Sequence, residues 1–421
     1  MEVQLPLTTP SKPLARGWSI VGMLCFVGCL NYLDRIMIAT MRESLVTAIP
    51  MTEAEFGLLT SVFLWVYGLL SPFAGFLADR FSRSRVIIVS LFVWSGVTWM
   101  TAHATTFNFL LVTRALMGIS EACFLPAALA LIADYHKGTT RSLATGIFMG
   151  GVVVGQSLGF LGGWIAAKHY WYTAFNVFGI VGIIFSVVLF FFLKDAPHKK
   201  ASLKDKRGPV SKNKVNFFQA VKYLFSSGSF IILIVFWGLL GMIGWMIIAW
   251  LPTYYSEHFH LSQATAGLYA TGYLYPVSLA GLLIGGVVAD RLTKRNRRAR
   301  ILVPATGLLV AAPAIFFAST TTAAYIAIIC FIFYAFARIF SDGNLMPILC
   351  MIADKRYRAT GYGILNMFSC IVGGLGIYIS GTLRDAHINL SIMFKVAALF
   401  MVICGGLLFM IKIKYDDAKT S

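Results

Sequence analysis

The sequence predicts an all-α membrane protein, twelve transmembrane helices in two pseudo-symmetric six-helix bundles, on three observations. First, 58% of the 421 residues are hydrophobic and only 12% charged, with a mean hydropathy of +0.78. No water-soluble core absorbs that much apolar surface. Second, the apolar residues come in continuous runs of about 20, the length that crosses a hydrocarbon layer of roughly 30 Å as a helix. Third, Gly75-Phe76-Leu77-Ala78-Asp79-Arg80 and Gly286-Val287-Val288-Ala289-Asp290-Arg291 repeat the pattern Gly-x-x-Ala-Asp-Arg, each closing an apolar run at a basic patch. A duplicated bundle in a membrane points to transport. The sequence shows no phosphate loop, metal-ligand cluster or nucleophile elbow, so an enzyme is not expected.

In chain order the runs predict spans at 17–41, 54–78, 84–104, 107–134, 140–167, 171–193, 229–256, 262–290, 300–319, 322–353, 358–383 and 390–413. They are continuous rather than alternating, which excludes a β-barrel, and Gly150, Gly151, Gly155 and Gly159 suit close helix packing in lipid. Positive loops stay in the cytoplasm. Lys12 and Arg16, then Arg80, Arg83 and Arg85, then Lys137 and Arg141 fall on one side, as do the stretch between the halves, the cluster after span eight, and Lys355, Arg356 and Arg358. Arg42, Lys168 and Arg384 are the exceptions. Both termini are expected to be cytoplasmic, in an inner (plasma) membrane. The net charge of +18 then reflects topology and attraction to anionic lipid, not nucleic-acid binding.

Residues 1–193 form the N-terminal bundle and 229–421 the C-terminal one. The polar stretch 194–228 reads as a basic cytoplasmic linker, in which Phe217, Phe218, Val221, Leu224 and Phe225 recur at helical spacing, as in a short amphipathic helix on the membrane surface. The seven cysteines all fall within predicted helices and read as buried free thiols, so no metal site or cofactor is expected.

Function is read from charges that a bilayer excludes, each costing at least ~2.5–3.5 kcal/mol at mid-membrane. The set is Asp34 and Arg35 in span one, Arg114 and Glu121 in span four, and Arg338 and Asp342 in span ten. Arg114, Gly118 and Glu121 share a helix face, and Arg338 and Asp342 are spaced to pair. Glu121 precedes Pro126 as Asp342 precedes Pro347, so the two acids hold matching places in the two halves. A carboxylate in a poorly hydrated cavity, beside an arginine that can move, switches between holding and releasing a proton. Asp34 and Glu121 are therefore expected to carry protons, Arg114 to bias their titration, and Arg35 to offer a bidentate fork to an anionic substrate. Static ion pairs that fix helix register are the alternative.

Over nearly its whole length the chain resembles the major facilitator superfamily, whose signature loop between helices two and three matches Gly75 to Arg85, including Asp79, Arg80, Arg83 and Arg85. Three segments resemble its anion:cation symporter family more closely: Asn31-Tyr32-Leu33-Asp34-Arg35, Ser61 to Tyr67, and Arg114 to Ala122. That resemblance implies proton-coupled import of an organic anion such as a hexuronate, aldonate or sialic acid. Asp34 and Glu121 would be the coupling residues, Arg35 would contact the substrate carboxylate, and Tyr67 would line the site. The spinster-like lipid transporters share the Asn-Tyr-x-Asp-Arg and Gly-x-x-Glu-Ala patterns, so a lysolipid or amphiphile transporter is the second reading, with a proton-coupled antiporter a third. Gln156 stands where the antiporter-associated signature has Pro, which favours symport.

Tyr32, Tyr67, Gln156, Asn366, Asp342 and Asn344 are the further expected substrate contacts. Asp79, Arg80, Arg83, Arg141, Asp290 and Arg291 are expected to form a cytoplasmic latch that opens as the halves rock. The expected partners are an organic anion, protons and membrane lipids, with the proton gradient as energy source and a monomer as the working form.

Overall fold

The computed structural model describes residues 13–136, 139–196, 217–354 and 356–412. Among them are twelve helices long and apolar enough to cross a membrane, and no strands. They are α1 (Pro13–Thr40), α2 (Glu53–Arg80), α3 (Arg83–Thr101), α4 (Phe107–Glu121, resuming at Phe124–Tyr135), α5 (Thr139–Ser157 and Phe160–Lys168) and α6 (Trp171–Phe192). The second set is α7 (Gly228–Phe259), α8 (Gln263–Gly267, a π-helical turn Leu268–Tyr273, then Leu274–Thr293), α9 (Ala299–Thr320), α10 (Ala324–Arg338 and Phe340–Ile352), α11 (Arg358–Asp385) and α12 (Leu390–Phe409). Short helices occupy Arg42–Ala48 and Phe217–Phe225, the second on the aromatic positions spaced for an amphipathic turn.

Three spans expected as single rods are interrupted. In α4 the ladder breaks at Ala122 and Cys123, because Pro126 has no N–H to return to the Ala122 carbonyl. In α10 the N–H groups of Asp342 and Gly343 both turn to the Ile339 carbonyl, at 3.0 and 3.5 Å, and the helix restarts there. In α5 the break lies against α1, where Thr40 Oγ1 accepts from Gly163 N at 3.0 Å and donates at 2.9 Å to the Gly159 carbonyl, which also accepts from Gly162 N at 3.3 Å. The glycines of α5 make that contact possible: a Cβ at Gly155 would stand 2.1 Å from the Cys29 carbonyl oxygen.

The halves meet along α2 and α11, α5 and α8, and α1 and α7. The α2–α11 seam is close enough that a Cβ at Gly381 would lie 2.3 Å from the Glu53 carbonyl oxygen. Trp65 Nε1 donates to the Ile371 carbonyl at 3.1 Å, and Ser61 Oγ donates to that of Gly374 at 2.7 Å. These side chains tie one bundle to the other without a covalent link.

Beyond α6, Asp195 Oδ1 accepts from Ser84 N at 2.8 Å and Oδ2 from Ser82 Oγ at 2.5 Å, satisfying the first turn of α3. Partial burial pushes the Asp195 carboxyl up, but these hydrogen bonds and the nearby Arg83 charge outweigh it and hold the group below its ordinary value. A lowered folded-state value gives stability that is present at neutral pH and fades as pH falls through it. Asp195→Asn is therefore expected to lower the melting temperature of the detergent-solubilised protein at pH 7 and to flatten its acid-side decline.

Candidate functional site

Between the bundles lies a cavity of about 760 Å³. Its walls run from Arg35 and Trp245 at mid-span to Leu129, Leu282 and Thr360, toward the helix ends that carry the basic loops. The N-terminal half contributes Tyr32, Arg35, Tyr67 and Gln156; the C-terminal half contributes Tyr275, Tyr334, Arg338, Asp342 and Asn366. Apolar surface from Leu125, Trp237, Trp245 and Leu279 fills the space between.

Arg35 is the pivot of the N-terminal wall. Its Nη2 donates to Glu121 Oε2 at 2.8 Å, with Arg35 only 6% and Glu121 1% exposed. The guanidinium lies over the rings of Tyr32, Phe63 and Tyr67 at 4.6, 4.8 and 4.6 Å from their centroids. The spacing explains this box: Tyr32 sits one turn before Arg35 on α1, and Phe63 and Tyr67 are i, i+4 neighbours on α2, stacked at 5.9 Å. A cation held against three π faces in a water-poor site is strongly stabilised, and its free edge is aimed by the Glu121 bond.

Asp34, the adjacent residue, is turned to the other face of α1. It accepts from Thr98 Oγ1 of α3 at 3.2 Å and does not line the cavity, although Glu121 and Arg114 lie within electrostatic range. Arg114 is fully buried. It donates to Met117 Sδ at 3.1 Å and lies 5.3 Å from the Phe63 ring, with no carboxylate in hydrogen-bond contact among the described residues. Asp34, Arg114 and Glu121 thus form one buried cluster with Arg35, and of these four Arg35 is the one that lines the large cavity.

Across the cavity, Arg338 Nη1 donates to Asp342 Oδ2 at 3.0 Å, as the i, i+4 spacing predicts. Asn366 Nδ2 donates to Ser71 Oγ at 3.0 Å, joining the two halves at the cavity wall. Asn344, expected as a substrate contact, is placed away from the cavity. It is fully buried, its Nδ2 donates to the Phe340 carbonyl at 2.9 Å, and it lies outside the lining, because two residues along a helix from Asp342 turn it some 200° away.

Among the described residues, two ion pairs of the expected latch set can be placed. Arg83 pairs with Asp134 and donates to the Ala130 carbonyl, and Arg300 pairs with Asp290, so both contacts stay within their own bundle. Arg80, Arg141 and Arg291 are exposed, and the Asp79 side chain lies outside the described residues.

The opposite end of the molecule carries a network that the sequence did not disclose. Arg42 pairs with Glu53 and, at 3.4 Å, with Glu257; Arg384 donates to Glu53 at 3.1 Å and to both oxygens of Glu257 at 2.7 and 2.9 Å. Asp385 accepts from the N–H groups of Glu53 and Ala54, each at 2.9 Å. Arg42, Glu53 and Ala54 belong to the first bundle and Glu257, Arg384 and Asp385 to the second, so this end is ionically closed.

Known proteins share both sequence and architecture with this one. Protein spinster homolog 3 of Danio rerio is 27% identical over 406 residues, covering 90% of this chain and 79% of its own. An MFS-type efflux pump of Mycolicibacterium smegmatis is 25% identical over 379 residues, with 88% and 85% covered. A solved bacterial homolog to the human lysosomal transporter Spinster, inward-facing and unoccupied, superposes with a TM-score of 0.80 at 22% identity, covering 95% of this chain and 97% of that one. The nucleoside transporter NupG superposes at 0.73 with 12% identity, covering 93% and 99%. The sequence profile of the Major Facilitator Superfamily matches residues 24–377. Twelve spans, two bundles, a central cavity and that match together make this chain a multi-pass membrane transporter of the Major Facilitator Superfamily, not an enzyme.

Proposed function

We propose that the protein carries an organic anion through its central cavity by alternating access, coupled to protons, with Arg35 as the anion-binding group. The observation that carries this reading is a single one: Arg35 is the charged residue of the buried N-terminal cluster that reaches the cavity, and its one ionic partner among the described residues is Glu121 at 2.8 Å. An incoming carboxylate competes for the same guanidinium. Glu121, deprived of its partner in a water-poor site, is then neutralised by a proton. Substrate and proton thus enter the same state together, which is the requirement for symport. With the basic loops cytoplasmic, the open end faces inward and the ionic network closes the outer face, so the chain rests inward-open in an inner membrane with both termini inside.

A sugar acid is the first substrate class, supported by the tyrosine hydroxyls and amides around Arg35. An amphiphilic anion such as a lysolipid is the second. It is favoured by Trp237, Trp245, Leu279 and Leu282 along the same cavity and by relatives named spinster. Arg35→Ala is expected to weaken anion binding by more than about 100-fold, the effect of deleting one partner of a buried charge pair. Calorimetric titration with sugar acids and lysolipids in parallel checks this. Unchanged affinity for whichever class binds would remove Arg35 from the site.

A further inference from the structure

The C-terminal wall holds polar atoms that the protein itself leaves unmatched. Asp342 uses Oδ2 for Arg338, while Asp342 Oδ1, Arg338 Nε and the hydroxyl of Tyr275 are buried with no hydrogen-bond partner. All three residues line the cavity; the Arg338 and Asp342 side chains are 18% and 30% exposed, through atoms other than the unmatched ones. Tyr275 lines the same cavity as both arginines and lies within electrostatic range of each.

Unmatched buried polar atoms are costly, and natural sites keep them where a ligand completes the set. The kind of ligand follows from the pairing. The Arg338–Asp342 couple carries no net charge, so a second anion would meet Asp342 and an ammonium would meet Arg338. A hydroxyl both accepts and donates, so it satisfies an arginine or tyrosine donor and a carboxylate acceptor at once.

We propose that Arg338, Asp342 and Tyr275 form a second recognition pole that takes the uncharged, hydroxyl-bearing end of a substrate whose anionic end is held at Arg35. This rests on the assignment of Arg35 as the anion site. The pole belongs to the C-terminal half and Arg35 to the N-terminal half, so a two-ended substrate bridges the bundles and draws them together around itself. A one-ended anion engages Arg35 alone and leaves the cavity open.

Three probes of equal carbon number separate the possibilities by calorimetric titration of the purified full chain: gluconate, hexanoate and 6-aminohexanoate. Gluconate is expected to bind at least about tenfold more tightly than hexanoate, as for a site built to hydrogen-bond hydroxyls. The double variant Arg338→Gln/Asp342→Asn removes both charges together and strands neither. It is expected to bring the two affinities within about twofold while hexanoate binding stays unchanged. Tyr275→Phe, which deletes one hydroxyl, is expected to narrow the gap severalfold and serves if the double variant does not fold. Equal binding of gluconate and hexanoate to the wild type, a gap that survives in the variants, or tightest binding of 6-aminohexanoate overturns the pole. A wild type without gluconate preference, or variants that keep it, with hexanoate binding still lost in Arg35→Ala, refutes the pole alone, whereas binding indifferent to Arg35→Ala refutes the anion site on which it stands.

Discussion

Glu121→Gln is expected to abolish proton-driven uphill accumulation in proteoliposomes while leaving substrate binding and substrate exchange in place. The glutamine side chain has nearly the size and shape of the carboxylate, and its carbonyl oxygen can still accept from Arg35 Nη2, which Glu121 now holds at 2.8 Å. What is lost is the charge that must be neutralised when the substrate takes Arg35. Without it, substrate binding no longer requires a proton. The accumulation ratio should fall to about one under an imposed pH gradient, with exchange of labelled for unlabelled substrate within a fewfold of wild type. Truncation to alanine would mislead here, because it leaves the Arg35 charge buried and unpaired at a cost of about 3–5 kcal/mol. Wild-type accumulation in Glu121→Gln would assign coupling to another acid. Asp34, which accepts from Thr98 and lies within range of Glu121, would then be the first candidate.

The architecture was readable because hydrocarbon imposes a length on every apolar run, and the buried charges were readable because hydrocarbon excludes them. Arg35, Glu121, Arg338 and Asp342 could be picked out without coordinates for that reason alone. Hydropathy is blind to the hydrogen-bond ladder, so the interruptions of α4, α5 and α10 were not foreseen, although Pro126 was a cue for the first. Tyr275 and Tyr334 were lost among aromatic residues that ordinarily form an interfacial belt. A polar residue in an apolar span marks a candidate but not its direction: Asn344 lies only two residues from Asp342, and the helix period turns it away from the cavity. The outer network was missed for a different reason. Arg42 and Arg384 stand in the sequence only as exceptions to the positive-loop pattern, and nothing in one chain's sequence says that the four helix ends carrying them, Glu53 and Glu257 converge.

Breaking that network is expected to shift the transporter toward its outward-open state. Arg384 holds the central place: it bonds Glu53 of the first bundle and Glu257 of the second, and its guanidinium lies 5.2 Å from the Trp250 ring. A lone exposed ion pair contributes little, but here two arginines share two glutamates, with the Arg42 and Arg384 side chains only 14% and 12% exposed. Every one of these bonds between bundles must separate before the cavity can open at this end. A differential stabilisation of about 1–3 kcal/mol corresponds to a population change of roughly 5- to 150-fold. Thr60 lines a small void beneath the network, together with Arg35 and Phe63, and reports on access from that end. In a cysteine-free background carrying Thr60→Cys, Arg384→Gln should raise the rate of labelling by a membrane-impermeant maleimide at least fivefold. High salt should raise it in the parent protein by screening the same charges. Labelling that is indifferent to both would mean that the α2–α11 seam, where Gly381 meets the Glu53 backbone, keeps this end shut by packing alone.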